Sequence, residues 1–139
     1  MEKETIENKI KHLEMIEFII ERMGNNSFQL KGWAVTLVTV IGAWAATGSD
    51  KRFFILMFIP LIAFWLIDAF YLQSERKYKE LYKMVRTKRE EEIDFDMDTS
   101  VIKTKRTGYW KCFFSKTEAC FYGAIAVAVL VMAIVLKVW

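Results

Sequence analysis

The chain has 139 residues, of which 54% are hydrophobic and 27% are charged, and its formal net charge is +3. It contains one histidine (His12) and two cysteines, but no glycine-rich phosphate loop, Cys-x-x-Cys pair or nucleophile elbow. This composition excludes histidine-based metal sites and catalytic triads, and it predicts a protein that is not an enzyme and needs no metal or cofactor.

Three long apolar blocks dominate the sequence. Residues 32–49 and 119–136 carry no charge, and residues 53–72 carry only Asp68. As helices these blocks are about 27 to 30 Å long, close to the hydrocarbon thickness of a bilayer. We therefore predict an all-α membrane protein with three transmembrane helices, at 27–49 (TM1), 53–72 (TM2) and 118–138 (TM3). Core helices of a soluble oligomer are the alternative.

The basic residues predict the orientation. Of the 20 Lys and Arg residues, 17 lie in 1–31 and 73–118, and three lie in 48–52 and after 136. The positive-inside rule then places the N-terminus and the long loop in the cytoplasm and the C-terminus outside. Residues 1–27 contain no apolar stretch typical of a cleavable signal peptide.

Residues 1–26 are predicted to form a cytoplasmic amphipathic helix. Apolar residues recur at helical spacing between 4 and 23, namely Ile6, Ile10, Leu13, Ile16, Ile20 and Met23. The run 24–27 (Gly-Asn-Asn-Ser) is expected to end this helix, with Asn or Ser capping TM1. Packing of the apolar stripe against another helix is favoured over peripheral binding to membrane.

TM1 has one face of small and hydroxyl-bearing residues: Gly32, Thr36, Thr39, Ala43 and Ala46. Small residues let helices approach closely in lipid, and threonine hydroxyls bond across such contacts or to their own backbone. Helix packing is one interpretation of this face, and the lining of a narrow wet path is the other. Gly32 and Ala43 are candidate packing residues, and Thr36 and Thr39 are candidate pore residues.

TM2 contains the only proline and the only charge within the apolar blocks. Pro60 is expected to kink the helix or to free a backbone carbonyl. Asp68 lies about one turn from the cytoplasmic end, and an ionisable residue at membrane depth is a functional candidate. An interfacial ion pair with Arg76 or Lys77 and a role in permeation or gating both remain open.

The helical pattern continues past TM2. Aromatic and apolar residues alternate with charges through 73–89, which predicts one long helix from 53 to about 89 whose second half is a cytoplasmic stalk. Residues 90–117 are predicted to form a cytoplasmic loop or two short strands. The Asp94-x-Asp96-x-Asp98 spacing fails as a calcium loop, because no glycine is at its sixth position and Lys105 stands in place of the bidentate glutamate.

TM3 is predicted to begin with Ser115 or Thr117 as its cap and with Glu118 in its first turn. Its small residues Gly123, Ala124 and Ala128 are candidate packing positions. Cys112 and Cys120 are eight residues apart, so on a helix their Cα atoms are too distant for a disulfide, and both are expected to be structural thiols.

Several local strings carry a resemblance to a known family. They are Asn26-Ser27-Phe28, Leu30-Lys31-Gly32-Trp33-Ala34-Val35-Thr36-Leu37, Phe64-Trp65, Asp68-Ala69-Phe70-Tyr71-Leu72, Glu75-Arg76-Lys77-Tyr78, Leu81-Tyr82, Ser115-Lys116-Thr117 and Phe121-Tyr122. In these strings the chain resembles small prokaryotic membrane proteins of the RipA-like octameric family, and relatives of this size resemble antiphage membrane effectors of the Hailong type. The resemblance implies an oligomeric bacterial inner-membrane protein and a pore-forming defence effector.

Three functions follow as expectations. The first is a homo-oligomer of four or more subunits that acts as a channel-like effector, with Asp68, Thr36 and Thr39 in its pore or gate. Its trigger would be a nucleotide, an oligonucleotide or a defence protein that binds the cytoplasmic region. The second is a non-conducting scaffold in the membrane. The third is a small transporter or a lysis protein.

Overall fold

The structure, a computed structural model, describes residues 2–47 and 53–135. In chain order its elements are α1 (Glu2–Ala46), α2 (Phe53–Leu56), α3 (Phe58–Thr87), a 3-10 turn (Glu90–Glu92), α4 (Tyr109–Phe113) and α5 (Lys116–Val135). The residues so described contain no strand, and the all-α prediction is confirmed. The predicted turn at 48–52 and the chain after Val135 lie outside the described residues.

Within the part of the chain that the structure describes, two helices are long and apolar enough to cross a membrane. They are Phe54–Thr87, which joins α2 to α3, and Lys116–Val135, which is α5. In each, only 22% of the most apolar window is buried within the chain, whereas the core helix of a soluble protein is mostly buried. This combination suggests a membrane location. The predicted TM1 is not one of the two; its residues up to Ala46 form the second half of α1.

The predicted end of a helix at 24–27 is wrong. Helix α1 runs without a break from Glu2 to Ala46, through Gly24 and Ser27. The Ser27 hydroxyl donates to Asp68 on α3 and caps no helix. Because α1 lies against α3, tertiary contacts outweigh the weak helix propensities of glycine and asparagine, a few tenths to about 1 kcal/mol per residue.

The long helix predicted from 53 is present as α2 and α3, with an interruption at Met57. Pro60 has no N–H to donate to the carbonyl of Leu56, the residue at which α2 ends. The proline therefore falls within the first turn of α3, where a missing donor costs no helical hydrogen bond. The helix then continues unbroken to Thr87.

The described helices enclose two hydrophobic cores. In the first, buried residues of α1, α2, α3 and α5 pack together, among them Val38, Met57, Leu61 and Val129. The second core lies nearer the start of α1 and the end of α3 and contains Ile16, Leu81, Val85 and Ile102. Leu13 and Ile20 pack against this second core, whereas Ile6 and Ile10 at the start of α1 are exposed.

The strands considered for residues 90–107 are absent from the structure of this segment, which contains the 3-10 turn and bends. The Asp94 and Asp96 side chains each accept a hydrogen bond from the backbone N–H two residues on, and Asp98 accepts one from Ser100. Such local bonds compete with a strand ladder. The N–H of Asp96 and then the Lys88 ammonium hold the pKa of the Asp94 carboxyl below its usual range.

Helix α5 begins where the sequence predicts a cap. Ser115 Oγ accepts a hydrogen bond from the Glu118 N–H at 3.4 Å, so of the two proposed caps Ser115 is the one used. Glu118 lies in the first turn, as expected. This start fixes the position of the Glu118 carboxylate relative to α1 and α3.

Candidate functional site: a buried ionic cluster between three helices

Five polar residues from three helices meet inside the chain. Ser27 and Lys31 are four residues apart on α1, Asp68 is on α3, and Glu118 and Tyr122 are four residues apart on α5. Residues four apart lie one above the other on the same helical face. Helices α1 and α5 therefore each present a pair of side chains to the Asp68 carboxylate on α3. We refer to these five residues as the buried ionic cluster.

Asp68 is the centre of the buried ionic cluster, and its side chain has no exposed area. Its Oδ1 accepts a hydrogen bond from Ser27 Oγ at 2.5 Å. Its Oδ2 lies 2.5 Å from Lys31 Nζ and 2.9 Å from the Tyr122 hydroxyl, which donates to it. A buried carboxylate is tolerated when each oxygen has such partners, so Asp68 is fully satisfied by the chain itself.

Lys31 is shared between two carboxylates. Its Nζ lies 3.0 Å from Glu118 Oε1 and donates to Ser27 Oγ at 2.9 Å, in addition to its contact with Asp68. The Lys31 side chain is 17% exposed and that of Glu118 is 2% exposed. Glu118 Oε2 is buried without a hydrogen-bond partner. Two ionised carboxylates facing one ammonium leave an excess negative charge, and the unpartnered oxygen points to where a proton, water or cation would be accepted.

Aromatic rings pack around the buried ionic cluster. Trp65 stacks on Phe113 at 4.4 Å between ring centroids and on Tyr122 at 5.7 Å. Its indole N–H donates to the Phe113 carbonyl at 3.0 Å. Lys31 Nζ lies 5.9 Å from the ring centroids of both Phe121 and Tyr122. These contacts favour the charged lysine and hold Tyr122 at a fixed distance from Asp68.

Sequence reasoning selected Asp68 but expected the wrong partner. Neither Arg76 nor Lys77 reaches it; the basic partner is Lys31. Arg76 instead donates to the Arg106 carbonyl at 3.1 Å and approaches Cys112 Sγ at 3.5 Å. The error has a simple cause: α1 and α3 lie side by side, which brings together residues 37 positions apart in the chain.

The candidate pore threonines are not brought to Asp68. Thr36 is exposed and donates to the carbonyl of Gly32 at 2.9 Å, and Thr39 is also exposed. They remain candidate pore residues only in an assembly of several chains. The candidate packing residues likewise face outward in the single chain: Gly32, Ala43, Ala124 and Ala128 are exposed and Gly123 is half-buried.

Two buried residues were missed from the sequence. Gly42 is buried in α1, where an added Cβ would lie 2.9 Å from Met57 Cε, so this glycine permits close approach of α1 to the start of α3. His12 is fully buried; its Nε2 lies 3.1 Å from the Asp96 carbonyl, and its Nδ1 has no partner. Phe95, with a positive φ of 54°, packs on the His12 ring at 5.4 Å.

Both cysteines are free. Cys112 is buried, and this burial raises the pKa of its thiol although the nearby Arg76 opposes the shift. A protonated buried thiol is a poor nucleophile and a poor metal ligand. In the part of the chain that the structure describes, no group of three or more His, Cys, Asp or Glu side chains is placed to hold a metal ion.

Comparison of the chain with protein-family models, with curated proteins and with solved structures finds no match.

Proposed function

We propose that this protein is a homo-oligomer of the bacterial inner membrane that acts as a channel-like effector, triggered through its cytoplasmic region. The observation that supports this function best is the buried ionic cluster. It joins three helices. Two of them, α3 and α5, belong to the candidate membrane helices, and the third, α1, contains residues of the predicted TM1. Ion pairs among helices at membrane depth are a recurrent feature of ion and proton pathways.

The cluster lies where movement of the cytoplasmic region would reach it. Helices α1 and α3 each extend from the second hydrophobic core to the first without ending near Lys31 or Asp68. A shift of one helix along the other would therefore separate Lys31 from Asp68. Two carboxylates would then need water or cations to replace the ammonium, and a hydrated path between the helices would form.

The defence role rests on the resemblance to antiphage membrane effectors. The topology, with the N-terminus inside and the C-terminus outside, rests on the distribution of the basic residues.

Ion flux into liposomes tests this proposal. Without a trigger, the wild-type protein should give a flux close to that of empty liposomes. The same amount of the Asp68→Asn variant should give a flux several-fold higher, because the neutral amide binds Lys31 more weakly. Asp96→Asn is the matched control, since Asp96 lies in the exposed loop, and it should leave the flux unchanged. Absence of flux from the wild type and from Asp68→Asn would refute conduction.

A non-conducting scaffold is the second candidate. The full satisfaction of Asp68 by Ser27, Lys31 and Tyr122 favours it, because a carboxylate with no free oxygen serves well as a structural tie between helices. In that case Asp68→Asn would lower the stability of the protein, and no variant would conduct.

A further inference from the structure

A basic cleft opens on the part of α3 that carries the second hydrophobic core. Its volume is about 530 Å³. Four basic residues of α3 line it at spacings of three and four residues, and a fifth comes from the loop before α4. The cleft is lined by Ile20, Arg76, Lys79, Glu80, Tyr82, Lys83, Arg86 and Arg106. Positions three and four apart share a helical face, so the four cations of α3 face the same space.

The cleft has more positive charge than its own carboxylate can balance. Lys79 pairs with Glu75, and Lys83 pairs with Glu80 at 2.8 Å. The Arg86 and Arg106 guanidinium groups, in contrast, have no hydrogen bond or ion pair among residues 2–47 and 53–135, although Arg86 lies near enough to the Tyr82 hydroxyl, which Glu17 also approaches, to interact with it electrostatically. The main-chain carbonyl of Arg106 accepts hydrogen bonds from Arg76 and from the Cys112 thiol. Two guanidinium groups thus remain free to bind a ligand.

We propose that this cleft binds a phosphate-bearing solute, with Arg86 and Arg106 as its principal ligands. The planar guanidinium fork matches phosphate oxygens and remains charged at every physiological pH. Arg76 adds positive charge to the wall of the same cleft. An anion bound there would relieve the repulsion among these cations, and binding should weaken as salt rises.

The distance of the cleft from the membrane, measured along α3, favours a soluble ligand over a lipid headgroup. Arg76 and Arg86 lie 4 and 14 residues beyond Leu72, the predicted end of TM2, which corresponds to about 6 and 21 Å along a helix. The headgroup layer of a bilayer extends only about 5 to 8 Å beyond the hydrocarbon. With Leu72 at the membrane edge, Arg76 would lie within the headgroup layer and Arg86 well beyond it.

The binding itself depends only on the cleft, whereas its regulatory meaning rests on the proposed function. Arg76 connects the cleft to the loop that leads into α4, and through α4 to Ser115 and Glu118 at the start of α5. A ligand that draws Arg106 and Arg86 together would therefore act on the same chain segment that positions Glu118 in the buried ionic cluster.

Calorimetry with the detergent-solubilised full chain tests the site, with sodium tripolyphosphate as the probe. We expect saturable binding, and we expect Arg86→Gln and Arg106→Gln each to weaken it about tenfold, as loss of one charged hydrogen-bonding group does. Lys105→Gln is the matched control, because Lys105 neighbours Arg106 but does not line the cleft. It should change the affinity by less than about twofold.

Two results would overturn the proposal: no binding of tripolyphosphate at low salt, or equal weakening by Lys105→Gln and Arg106→Gln. A separate measurement tests whether the phosphate group comes from a lipid. If nanodiscs with phosphatidylglycerol, but not those with phosphatidylcholine alone, abolish tripolyphosphate binding, a headgroup occupies the cleft and a soluble ligand is refuted. None of these measurements involves ion flux, so failure of the site and failure of conduction are distinguishable.

Discussion

Lys31 is the residue on which the buried ionic cluster depends. Among residues 2–47 and 53–135 it is the only ammonium in contact with Asp68 and Glu118, two carboxylates that are almost completely buried. An ion pair at such a site is not in itself strongly stabilising, because removing the charges from water offsets the attraction between them. Removal of one partner is different, because it leaves the opposite charge buried and unpaired.

We therefore expect Lys31→Met to lower the free energy of unfolding by about 3 to 5 kcal/mol, the range for breaking a buried ion pair. Methionine has about the length of lysine and no charge, so the effect isolates the ammonium. Unfolding of the purified protein by sodium dodecyl sulfate titration in mixed micelles measures it.

A triple variant is the control for this prediction. In Lys31→Met, Asp68→Asn, Glu118→Gln no unpaired charge remains, so most of the lost stability should return. A loss below about 1 kcal/mol for Lys31→Met alone, the scale of an exposed pair, would show that water reaches the carboxylates and that the cluster is not sealed.

Among the elements, α1 departs most from the sequence-based expectation. Gly24 and its asparagine neighbours have the composition of a helix end, and local propensity favours a break there. The structure shows 45 residues of continuous helix, about 67 Å at 1.5 Å per residue, which exceeds a bilayer thickness. This continuity matters for function, because a break at 24–27 would uncouple the second hydrophobic core from the buried ionic cluster.

Replacement of Gly24 distinguishes a continuous α1 from a helix that ends at Gly24. An added Cβ meets nothing within 4 Å, so in a continuous helix Gly24→Ala should raise the free energy of unfolding by about 0.5 to 1 kcal/mol. If Gly24 instead ended a helix in the left-handed conformation, the same change would destabilise the protein. The same detergent titration measures the difference.

Asn25→Pro is the complementary variant. Within a helix, proline removes one hydrogen bond and clashes with the preceding turn, at about 3 kcal/mol or more. In a turn between two helices it would be tolerated. Tolerance of Asn25→Pro together with destabilisation by Gly24→Ala would restore the sequence-based boundary.

At the scale of the whole molecule, the sequence predicted the helical class and the helix from 53 to about 89, because long apolar runs and helical periodicity are local signals. It also selected Asp68, because a single charge in an apolar run is conspicuous. It could not supply the partner of Asp68, since the contact with Lys31 depends on the path of α1 across α3. The strand alternative for the Asp94–Asp98 loop was wrong for a different reason: local hydrogen bonds from backbone N–H groups to aspartate side chains take the place of a strand ladder.

The single chain exposes an extensive apolar surface. Large side chains such as Trp33, Val40, Ile59 and Ile134 are each at least 60% exposed. Lipid covers such surfaces, but it does not explain the row of small residues on α1, which leaves the helix backbone open at Gly32. Rows of this kind are typical of helix–helix contacts in membranes. An assembly of several copies would cover both the row and the exposed threonines.

Ala43→Leu tests whether this row is the subunit interface. Ala43 is exposed on the face that includes Gly32 and Thr39, and three added carbon atoms would hold the helices apart. Overpacking costs about 1 to 3 kcal/mol, so the dissociation constant of the assembly should rise about tenfold or more. Ala63→Leu makes the same chemical change at an exposed position of α3 and should have a much smaller effect. Photobleaching step counts in nanodiscs, prepared over a range of protein-to-lipid ratios, measure the number of subunits directly. Wild-type protein that remains monomeric at every ratio would rule out the assembly, and equal weakening by Ala63→Leu would move the interface from α1 to α3.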